Sequence, residues 1–273
     1  MSRSGEPRFL LTNDDGIESP GFRALYDALS SIGEVIAVAP ADDRSSVGRS
    51  LSGHVTVEDH ELGYAIDGTP ADCTVVGLES LCPDVDMVLA GCNKGANLGA
   101  YVLGRSGTVS AAVEAAFFDV PAIAVSQYVP AGSGEAYREF EVTEDDYREV
   151  TRAARYLAEH AEEAGVFDTA EYLNVNAPWP DGSPAPMEVT RPSTLYEMTA
   201  ERDGDAIVLR DGIWERMKEG SVPDPVGTDR RAVVEGRVSV SPLTAPHTTR
   251  HHDALDALAE SYADEEGIDG NAG

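Results

Sequence analysis

The sequence predicts an α/β protein with a doubly wound, mostly parallel sheet and a small β-rich C-terminal appendage. The first observation is that short strands rich in Val, Ile, Leu and Ala alternate with helical patterns over residues 1–180. Such strands are typical of parallel sheets that helices cover on both faces. The second is that this alternation stops after Pro178, where a linker-like segment, DGSPAP, precedes apolar runs joined by turn residues. A chain of 273 residues is long enough for one core and a smaller appendage.

Apolar periodicity and helix-capping residues define the elements of residues 1–180. Ser19 and Pro20 supply an N-cap and a proline at the first position of a helix. Thr69 and Asp72 have the form of a capping box, and Thr143 is placed to cap a long helix. The predicted strands are residues 9–11, 35–39, 86–90, 121–126 and 171–176. The predicted helices are residues 20–32, 69–81, 106–118 and 144–161.

Residues 181–262 are predicted to form the appendage. Residues 206–217 contain Asp211-Gly212 between two apolar runs, the preferred sequence for a two-residue hairpin turn. Residues 232–240 are predicted as a strand and residues 254–262 as a short helix. The acidic end, residues 263–273, is predicted to be disordered.

The charge balance limits the classes of partner that the protein could bind. The chain carries 49 acidic and 20 basic residues, a formal net charge of -29. Such a surface repels nucleic acid polymers and anionic membranes, so neither is an expected partner. Concentrated salt screens the repulsion between the acidic side chains. The composition is therefore typical of a protein from a salt-loving organism. The N-terminus lacks the apolar segment of a signal peptide, and no run of about 18 apolar residues occurs, so we expect a cytoplasmic protein.

Oxygen-bearing side chains follow several predicted strands at the same edge of the sheet. Asp14 and Asp15 come directly after the first strand, Ser45 follows the second, and Asn93 follows the strand 86–90. Ligands of doubly wound sheets bind beyond these carboxyl ends. A divalent cation would offset the repulsion between the two carboxylates, and ligands that are all oxygen suit Mg²⁺, Mn²⁺ or Ca²⁺. The alternative is a surface turn, for which Asp-Asp-Gly is also common.

A glycine-rich segment and a helix start suggest a phosphate site beside this cation. Residues 93–99 contain two glycines, and Ser106-Gly107-Thr108 opens the predicted helix that follows. Free backbone N–H groups at a helix N-terminus bind phosphate well, although the same residues could be an ordinary N-cap. Neither a P-loop motif nor a dinucleotide fingerprint is present. A metal beside a phosphate suggests metal-assisted hydrolysis of a phosphoester, with a carboxylate taking the proton.

The motifs of this chain resemble those of the SurE family, the survival protein E group of 5'/3'-nucleotidases. The segments that carry the resemblance are LLTNDDGIESPG (10–21), VAPADDRSSVG (38–48), DGTPADC (67–73), AGCNKGANLG (90–99), RSGTVSAAVEA (105–115), PAIAVS (121–126), LNVNAP (173–178) and GRVSVSPL (236–243). The resemblance implies a Rossmann-like fold. It also implies hydrolysis of nucleoside 5'- or 3'-monophosphates to nucleoside and phosphate.

The resemblance assigns residues to each role. Its metal ligands, for one divalent ion that is Mg²⁺ or Mn²⁺, are Asp14, Asp15, Ser45 and Asn93. Its phosphate-binding residues are Asn97, Ser106, Gly107 and Thr108. We take Asp14 and Asp15 as the catalytic residues. The family also forms dimers or tetramers through a hairpin and a C-terminal helix, so a homodimer or homotetramer is expected.

Two positions depart from the family pattern. Ala90 stands where the family has Ser, and Arg105 stands where it has an aromatic residue or His. Arg105 is a cation beside the expected phosphate site and could alter substrate preference, or it could be an ordinary surface residue. The alternative functions are hydrolysis of short polyphosphate, a general acid phosphatase, and a nucleotide sensor without catalysis. A redox dinucleotide enzyme ranks lower, because the fingerprint is absent.

Overall fold

The computed structural model of the protein describes residues 5–132, 134–248 and 253–265. Its strands are β1 (Arg8–Thr12), β2 (Glu34–Pro40), β3 (Val57–His60), β4 (Gly63–Ile66), β5 (Met87–Lys94), β6 (Ala122–Gln127), β7 (Tyr172–Ala177), β8 (Met187–Val189), β9 (Met198–Asp203), β10 (Ala206–Asp211) and β11 (Val238–Leu243). Its helices are α1 (Pro20–Ser30), α2 (Pro70–Val76), α3 (Ala100–Leu103), α4 (Gly107–Phe117), α5 (Glu135–Glu139), α6 (Arg148–His160), α7 (Ile213–Lys218), α8 (Asp229–Val234) and α9 (Asp253–Glu265).

The strands form a nine-stranded sheet in the order β3-β4-β2-β1-β5-β6-β7-β11-β8, and β9 pairs with β10 in a separate sheet. Strands β4, β2, β1, β5, β6 and β7 pair in parallel. The edge strand β3 pairs antiparallel with β4, and β11 pairs antiparallel with β7 but in parallel with β8. The prediction of a mostly parallel α/β sheet is therefore confirmed. The carboxyl ends of β1, β2, β5 and β6 meet at one edge.

Helices cover both faces of the sheet, as the alternation of strands and helices predicts. On one face, α1 and α6 pack Phe22, Leu25 and Val150 against inward-facing residues of β1 and β5. On the other face, α2 and α4 pack Cys73 and Val109 against the alternate residues of the same strands. Both faces of the central strands are buried, so their sequences read as continuous apolar runs.

The predicted helix starts are present, with differences in their hydrogen bonds. The Thr69 hydroxyl accepts from the Asp72 N–H at 3.1 Å, and the Asp72 carboxylate accepts from the Thr69 N–H at 2.8 Å, a complete capping box. Thr143 makes a similar box, but it opens a 3₁₀ turn, Glu144–Tyr147, and α6 begins only at Arg148. The Ser19 hydroxyl lies at the N-cap of α1 but accepts from the Asn13 side chain instead of capping the helix.

The prediction that Asp211-Gly212 forms a hairpin turn is wrong. The hairpin lies earlier, between β9 and β10, where Ala206 pairs with Asp203 and Gly204 has a φ of 59°. Asp211 ends β10, and its carboxylate accepts from the Ile213 N–H at 3.2 Å at the start of α7. An Asp can begin a helix in this way as readily as it can occupy a turn, and the dipeptide alone does not distinguish the two.

The prediction of a continuous strand over residues 232–240 is also wrong. Residues 229–234 form α8, whose Ala232 and Val233 are buried, and β11 begins at Val238. Gly236, with a φ of 75°, follows the helix and turns the chain into the strand. β-branched residues favour strands, but burial against the sheet decides the conformation here.

The segment after residue 180 is divided between the main sheet and a projecting part. Strands β8 and β11 complete one edge of the main sheet, while β9 and β10 form a sheet of their own. The predicted helix 254–262 corresponds to α9, which continues to Glu265, so the prediction of disorder is wrong for residues 263–265. Residues 266–273 of the predicted tail lie outside the described residues. No helix in the described ranges is long and apolar enough to cross a membrane. The three cysteines, Cys73, Cys82 and Cys92, are buried and unpaired.

Candidate active site

Asp14 and Asp15 lie in the turn that follows β1, at the carboxyl edge of the sheet. Asp14 is 3% exposed, and its Oδ1 accepts a hydrogen bond from the Thr108 hydroxyl at 2.6 Å. Asp15 Oδ2 accepts from the backbone N–H of Lys94 at 2.7 Å. Each carboxylate is therefore fixed by a residue from another element, α4 for Asp14 and the end of β5 for Asp15.

Gly107 lets the Asp14 side chain lie against the N-terminus of α4. A Cβ on Gly107 would lie 2.8 Å from the Asp14 Cβ and 2.9 Å from its Oδ2, closer than side-chain atoms can approach. Only glycine fits at this position without displacing the carboxylate. Gly107, which the family resemblance assigns to the phosphate site, therefore also leaves the space that the Asp14 side chain occupies.

The two adjacent carboxylates repel each other, and burial disfavours their charged forms. Burial raises the pKa of Asp14, and burial together with the Asp14 charge raises the pKa of Asp15 to about 8. The salt bridges between described residues include neither carboxylate. Two adjacent acids, one buried and one half-buried, with no salt-bridge partner among the described residues fit a divalent cation, which stabilises their charged forms. The donor atoms are the carboxylate, hydroxyl and amide oxygens that Mg²⁺ and Mn²⁺ prefer.

Ser45 and Asn93 line the same cavity as Asp14. The Ser45 backbone N–H donates to the Asp43 carboxylate at 2.7 Å, and the residue is exposed. The Asn93 side-chain amide donates to the Gly95 carbonyl at 2.5 Å. Within the described part of the chain, no three His, Cys, Asp or Glu side chains converge as a metal site would require. A cation here would therefore use the hydroxyl and amide oxygens beside the two acids.

Asn97 is held in the cavity wall by side chains from β6 and β7. Its backbone N–H donates to the Asn176 side chain at 2.7 Å, and its carbonyl accepts from the Asn174 side chain at 2.8 Å. Its own amide group donates to the Ser126 hydroxyl at 3.0 Å. Asn97 is 6% exposed and lines the cavity, so its position is fixed before any ligand binds.

The N-terminus of α4 faces the cavity at Ser106. The Ser106 Oγ accepts from the Val109 N–H at 3.0 Å, which makes it the N-cap of the helix. Its neighbour Gly107 lies against Asp14. The family resemblance assigns Thr108 to the phosphate site, and its hydroxyl donates to Asp14 in this structure. Thr108 therefore orients a carboxylate at the helix start.

The cavity has a volume of about 390 Å³. Beyond the residues already described, it is lined by aromatic residues and by two cations. The aromatic residues are Tyr101, Tyr128, Tyr137 and Trp214, and the cations are Lys94 and Arg105. The Arg105 guanidinium lies 5.2 Å from the centroid of the Tyr101 ring, and the Lys94 ammonium lies 5.4 Å from that of Tyr137. Met198 and Asp211, at the base of the β9–β10 hairpin, also contribute to the wall.

Several residues that support the site from a distance are not among the site residues predicted from the sequence. Asn174 and Asn176 are fully buried in a central strand, and two polar residues at alternate positions in such a strand could have indicated a role. Asp229 accepts from the backbone of Gly99, which lies 130 residues away in the sequence. Nothing in the local sequence around Asp229 distinguishes it from an ordinary acid in the first turn of a helix.

Comparisons with known proteins agree with the motifs. A profile of the family described as Survival protein SurE matches residues 9–198. A 5'-nucleotidase SurE from Haloarcula marismortui is 65% identical over 262 residues, covering 96% of this chain and 97% of that protein. One from Archaeoglobus fulgidus is 37% identical over 245 residues, covering 86% and 90%. The crystal structure of the Sure protein from Aquifex aeolicus aligns with a TM-score of 0.74 and 31% identity, covering 94% of this chain and 100% of that one.

Proposed function

The chain belongs to the SurE family, and we propose that it is a 5'-nucleotidase, a phosphomonoesterase that releases phosphate from nucleoside 5'- or 3'-monophosphates. The observation that carries the proposal is the grouping of Asp14, Ser45, Asn93, Asn97 and Ser106 around one cavity at the carboxyl edge of the sheet. In the proposed reaction, these side chains supply oxygen ligands for a cation and hydrogen-bond donors for a phosphate. The family membership adds the identity of the reaction.

One divalent metal ion, Mg²⁺ or Mn²⁺, is proposed as the cofactor, with Asp14, Asp15, Ser45 and Asn93 as its protein ligands. A divalent cation at such a site polarises a phosphoryl oxygen and makes water a better nucleophile. The hydrogen bonds from Thr108 to Asp14 and from Lys94 to Asp15 keep both carboxylates in place before the cation binds. Such preorganisation lowers the reorganisation that binding would otherwise require.

The chain's own groups then bind and orient the substrate. Asn97 and Ser106 line the cavity, and the start of α4 at Gly107 adds the positive end of the helix dipole. These groups are proposed to hold the phosphate. Asp14 lines the cavity and is the carboxylate placed to accept a proton from the attacking water. Thr108 acts indirectly, by orienting Asp14.

The aromatic part of the cavity is proposed to receive the nucleoside. Tyr101, Tyr128 and Trp214 line the cavity together with Asp14 and Asn97. Aromatic rings stack on nucleobases with little preference for sequence, because every base has a π-face. A site of this kind accepts several bases, so we expect activity on purine and pyrimidine nucleotides alike.

The test is release of phosphate from AMP at molar salt, with and without Mn²⁺. We expect release to require the metal and to fall by at least about 100-fold in Asp14→Asn, the cost typical of losing one electrostatic catalytic group. Binding of AMP without release in the wild-type protein would instead indicate a nucleotide sensor. Release that persists in a metal chelator would contradict the proposed cofactor.

Short polyphosphate is the second candidate substrate. The observation in its favour is that two cations, Lys94 and Arg105, line the cavity of a chain with a strong negative charge. Comparing kcat/KM for tripolyphosphate, AMP and p-nitrophenyl phosphate separates the three reaction types. A nucleotidase prefers AMP, and a general phosphatase does not distinguish it from the nitrophenyl ester.

We propose further that the protein is a homodimer or homotetramer whose contacts use the hairpin and α9. Ile207 and Leu209 on β10 are 61% and 68% exposed, and Leu255 and Leu258 on α9 are 64% and 65% exposed. Large apolar side chains exposed together mark contact surfaces. The cytoplasmic location expected from the sequence stays a prediction.

A further inference from the structure

We propose that Asp229 and Arg230, at the start of α8, are positioning residues that fix the segment 97–99 so that Asn97 faces the phosphate. Neither residue lines the cavity, so they would act through the loop and not on the substrate. The inference rests on the proposed function, because the position of Asn97 matters for the reaction only if the cavity binds a phosphate.

Asp229 connects the loop to two other segments through its carboxylate. Its Oδ2 accepts from the Gly99 N–H at 2.6 Å, and its Oδ1 accepts from the Ser193 N–H at 2.9 Å and from the Arg230 N–H at 2.8 Å. The side chain is fully buried. Three backbone N–H groups, from Gly99, Ser193 and Arg230, converge on this one side chain, so it is a firm attachment for the loop.

The Arg230 side chain contacts the same segment, residues 97–99. Its guanidinium donates to the Leu195 carbonyl at 3.0 Å and approaches the Leu98 carbonyl at 3.4 Å. A Cβ on Gly99 would lie 2.1 Å from Arg230 Nη2, so the loop and the guanidinium are in direct contact. Gly99 has a φ of 89°, a conformation that glycine adopts readily. A side chain at residue 99 would therefore displace either the loop or the Arg230 guanidinium.

Both ends of the segment 97–99 are thus fixed by buried side chains. Asn174 and Asn176 on β7 hold the backbone of Asn97, and Asp229 holds the backbone of Gly99. The Arg230 guanidinium also lies 5.2 Å from the centroid of the Tyr101 ring, which lines the cavity. The start of α8 therefore contacts two parts of the cavity wall from outside.

The charges of this cluster are poorly explained by stability alone. Asp224 and Arg230 are fully buried and lie 3.7 Å apart, and neither oxygen of the Asp224 carboxylate has a hydrogen-bond partner among the described residues. Buried ion pairs are often less stabilising than apolar side chains of similar size. Fixing a binding loop is a role for which charged hydrogen bonds are suited and apolar contacts are not.

The main test is Asp229→Asn. The amide keeps the shape of the side chain but has a single acceptor oxygen, so it cannot accept from both Gly99 and Ser193. We expect KM for AMP and the inhibition constant of inorganic phosphate to rise about tenfold, equivalent to about 1.4 kcal/mol. We expect kcat to stay within about twofold, because the loop binds substrate and transition state alike. Exchange of the Gly99 amide hydrogen should become faster.

The matched control is Glu149→Gln, which removes the charge of another buried carboxylate that accepts from a backbone N–H, that of Ala185 at 2.6 Å, outside the cluster around Arg230. We expect it to lower Tm while KM and the exchange of the Gly99 amide stay as in the wild type. An equal rise of KM in both variants would overturn the proposal, because general destabilisation would then explain it. An unchanged KM and a still protected Gly99 amide in Asp229→Asn would overturn it as well.

If Asp229→Asn does not fold, Arg230→Met provides the second variant. An apolar side chain of similar length tolerates burial but cannot donate to the Leu98 and Leu195 carbonyls. A raised KM with unchanged kcat supports the proposal, and a wild-type KM overturns it. Failure of the proposed function has a different signature. In that case the wild-type protein releases no phosphate from AMP, and exchange of the Gly99 amide still reports whether the loop is anchored.

Discussion

At the scale of single residues, the missing side chain of Gly107 controls the position of Asp14. Because a Cβ there would lie 2.8 Å from the Asp14 Cβ, we predict that Gly107→Ala displaces the carboxylate. Misplacing a catalytic group by about 1 Å can cost about 100-fold in rate, so kcat/KM should fall by that order. Phosphate release from AMP measures the loss, and a melting curve checks that the variant is folded.

Gly104→Ala is the matched control for this substitution. Gly104 lies in the turn before α4, has a φ of -75°, and would place its Cβ more than 4 Å from any neighbouring atom. Alanine fits there without strain, so activity should stay near that of the wild type. If both variants lost activity equally, the argument from the Asp14 contact would be wrong.

The raised pKa of Asp15 makes the stability of the metal-free protein depend on pH. The pKa rises from 3.8 to about 8 on folding, so the folded state binds the proton more tightly. The stability from this proton is fully present below pH 3.8 and is lost as the pH rises through about 8. A divalent cation binds the charged form, so its stabilising effect should increase with pH over this range.

Thermal melts with EDTA and with Mn²⁺ measure this effect. We predict a larger increase of Tm on adding Mn²⁺ near the upper end of that pH range than near its lower end. The comparison of the two increases removes the pH dependence that comes from other residues. Asp15→Asn should abolish the difference, and an equal increase at both pH values in the wild type would contradict the prediction.

The sequence was sufficient to predict which oxygen-bearing residues meet at the sheet edge, but not how each is supported. Asp14 and Ser45 follow parallel strands, and Asn93 lies among the last residues of β5, so the topology brings all three to the carboxyl edge of the sheet. The hydrogen bond from Thr108 to Asp14 joins residues 94 positions apart, and the one from Gly99 to Asp229 joins residues 130 apart. Such pairs depend on packing between elements, which no local pattern encodes.

At the scale of elements, the strands and helices of the main sheet were predictable and the hairpin was not. Central strands are apolar on both faces, and the starts of their neighbouring helices carry capping residues. By contrast, β9 reads MTAERD and is exposed along nearly its whole length. A strand that buries neither face within its own chain shows no alternation of apolar and polar residues, so its position cannot be read from periodicity.

The exposed hairpin leads to a prediction about assembly. We predict that replacing both Ile207 and Leu209 by Lys lowers the oligomeric state, because charged side chains would be placed in an apolar contact. Sedimentation velocity measures the change. Val57→Lys, on the edge strand β3, is the control and should leave the assembly intact. A wild-type sedimentation coefficient for the double variant would exclude this face of the hairpin from the contact.

At the scale of the whole molecule, the net charge of -29 predicts that stability rises with salt. Carboxylates on the surface repel one another over a screening length of about 10 Å at 0.1 M salt and about 3 Å at 1 M. Compact states suffer more from this repulsion than unfolded ones, so low salt should favour unfolding. We predict that Tm increases steadily with KCl concentration up to the molar range.

The matching measurement is a series of melts in KCl, with sucrose as a control for general solvent effects. Sucrose stabilises proteins by exclusion from their surface and does not screen charge. If sucrose alone at low salt reproduced the full gain in Tm, charge repulsion would not be the cause. We would then infer that the acidic residues mainly increase the solubility of the protein and contribute little to the salt dependence of its stability.

The buried cysteines have a practical consequence for single-molecule work. Burial raises the pKa of the Cys82 thiol to about 11 and raises those of Cys73 and Cys92 as well, so none forms the reactive thiolate near neutral pH. Maleimide dyes should therefore not label the cysteines of the native chain. A cysteine introduced at the exposed Asp205, at the hairpin tip, would be the sole attachment point. If the proposed oligomer forms, energy transfer between two such dyes would report the distance between the hairpins of its subunits.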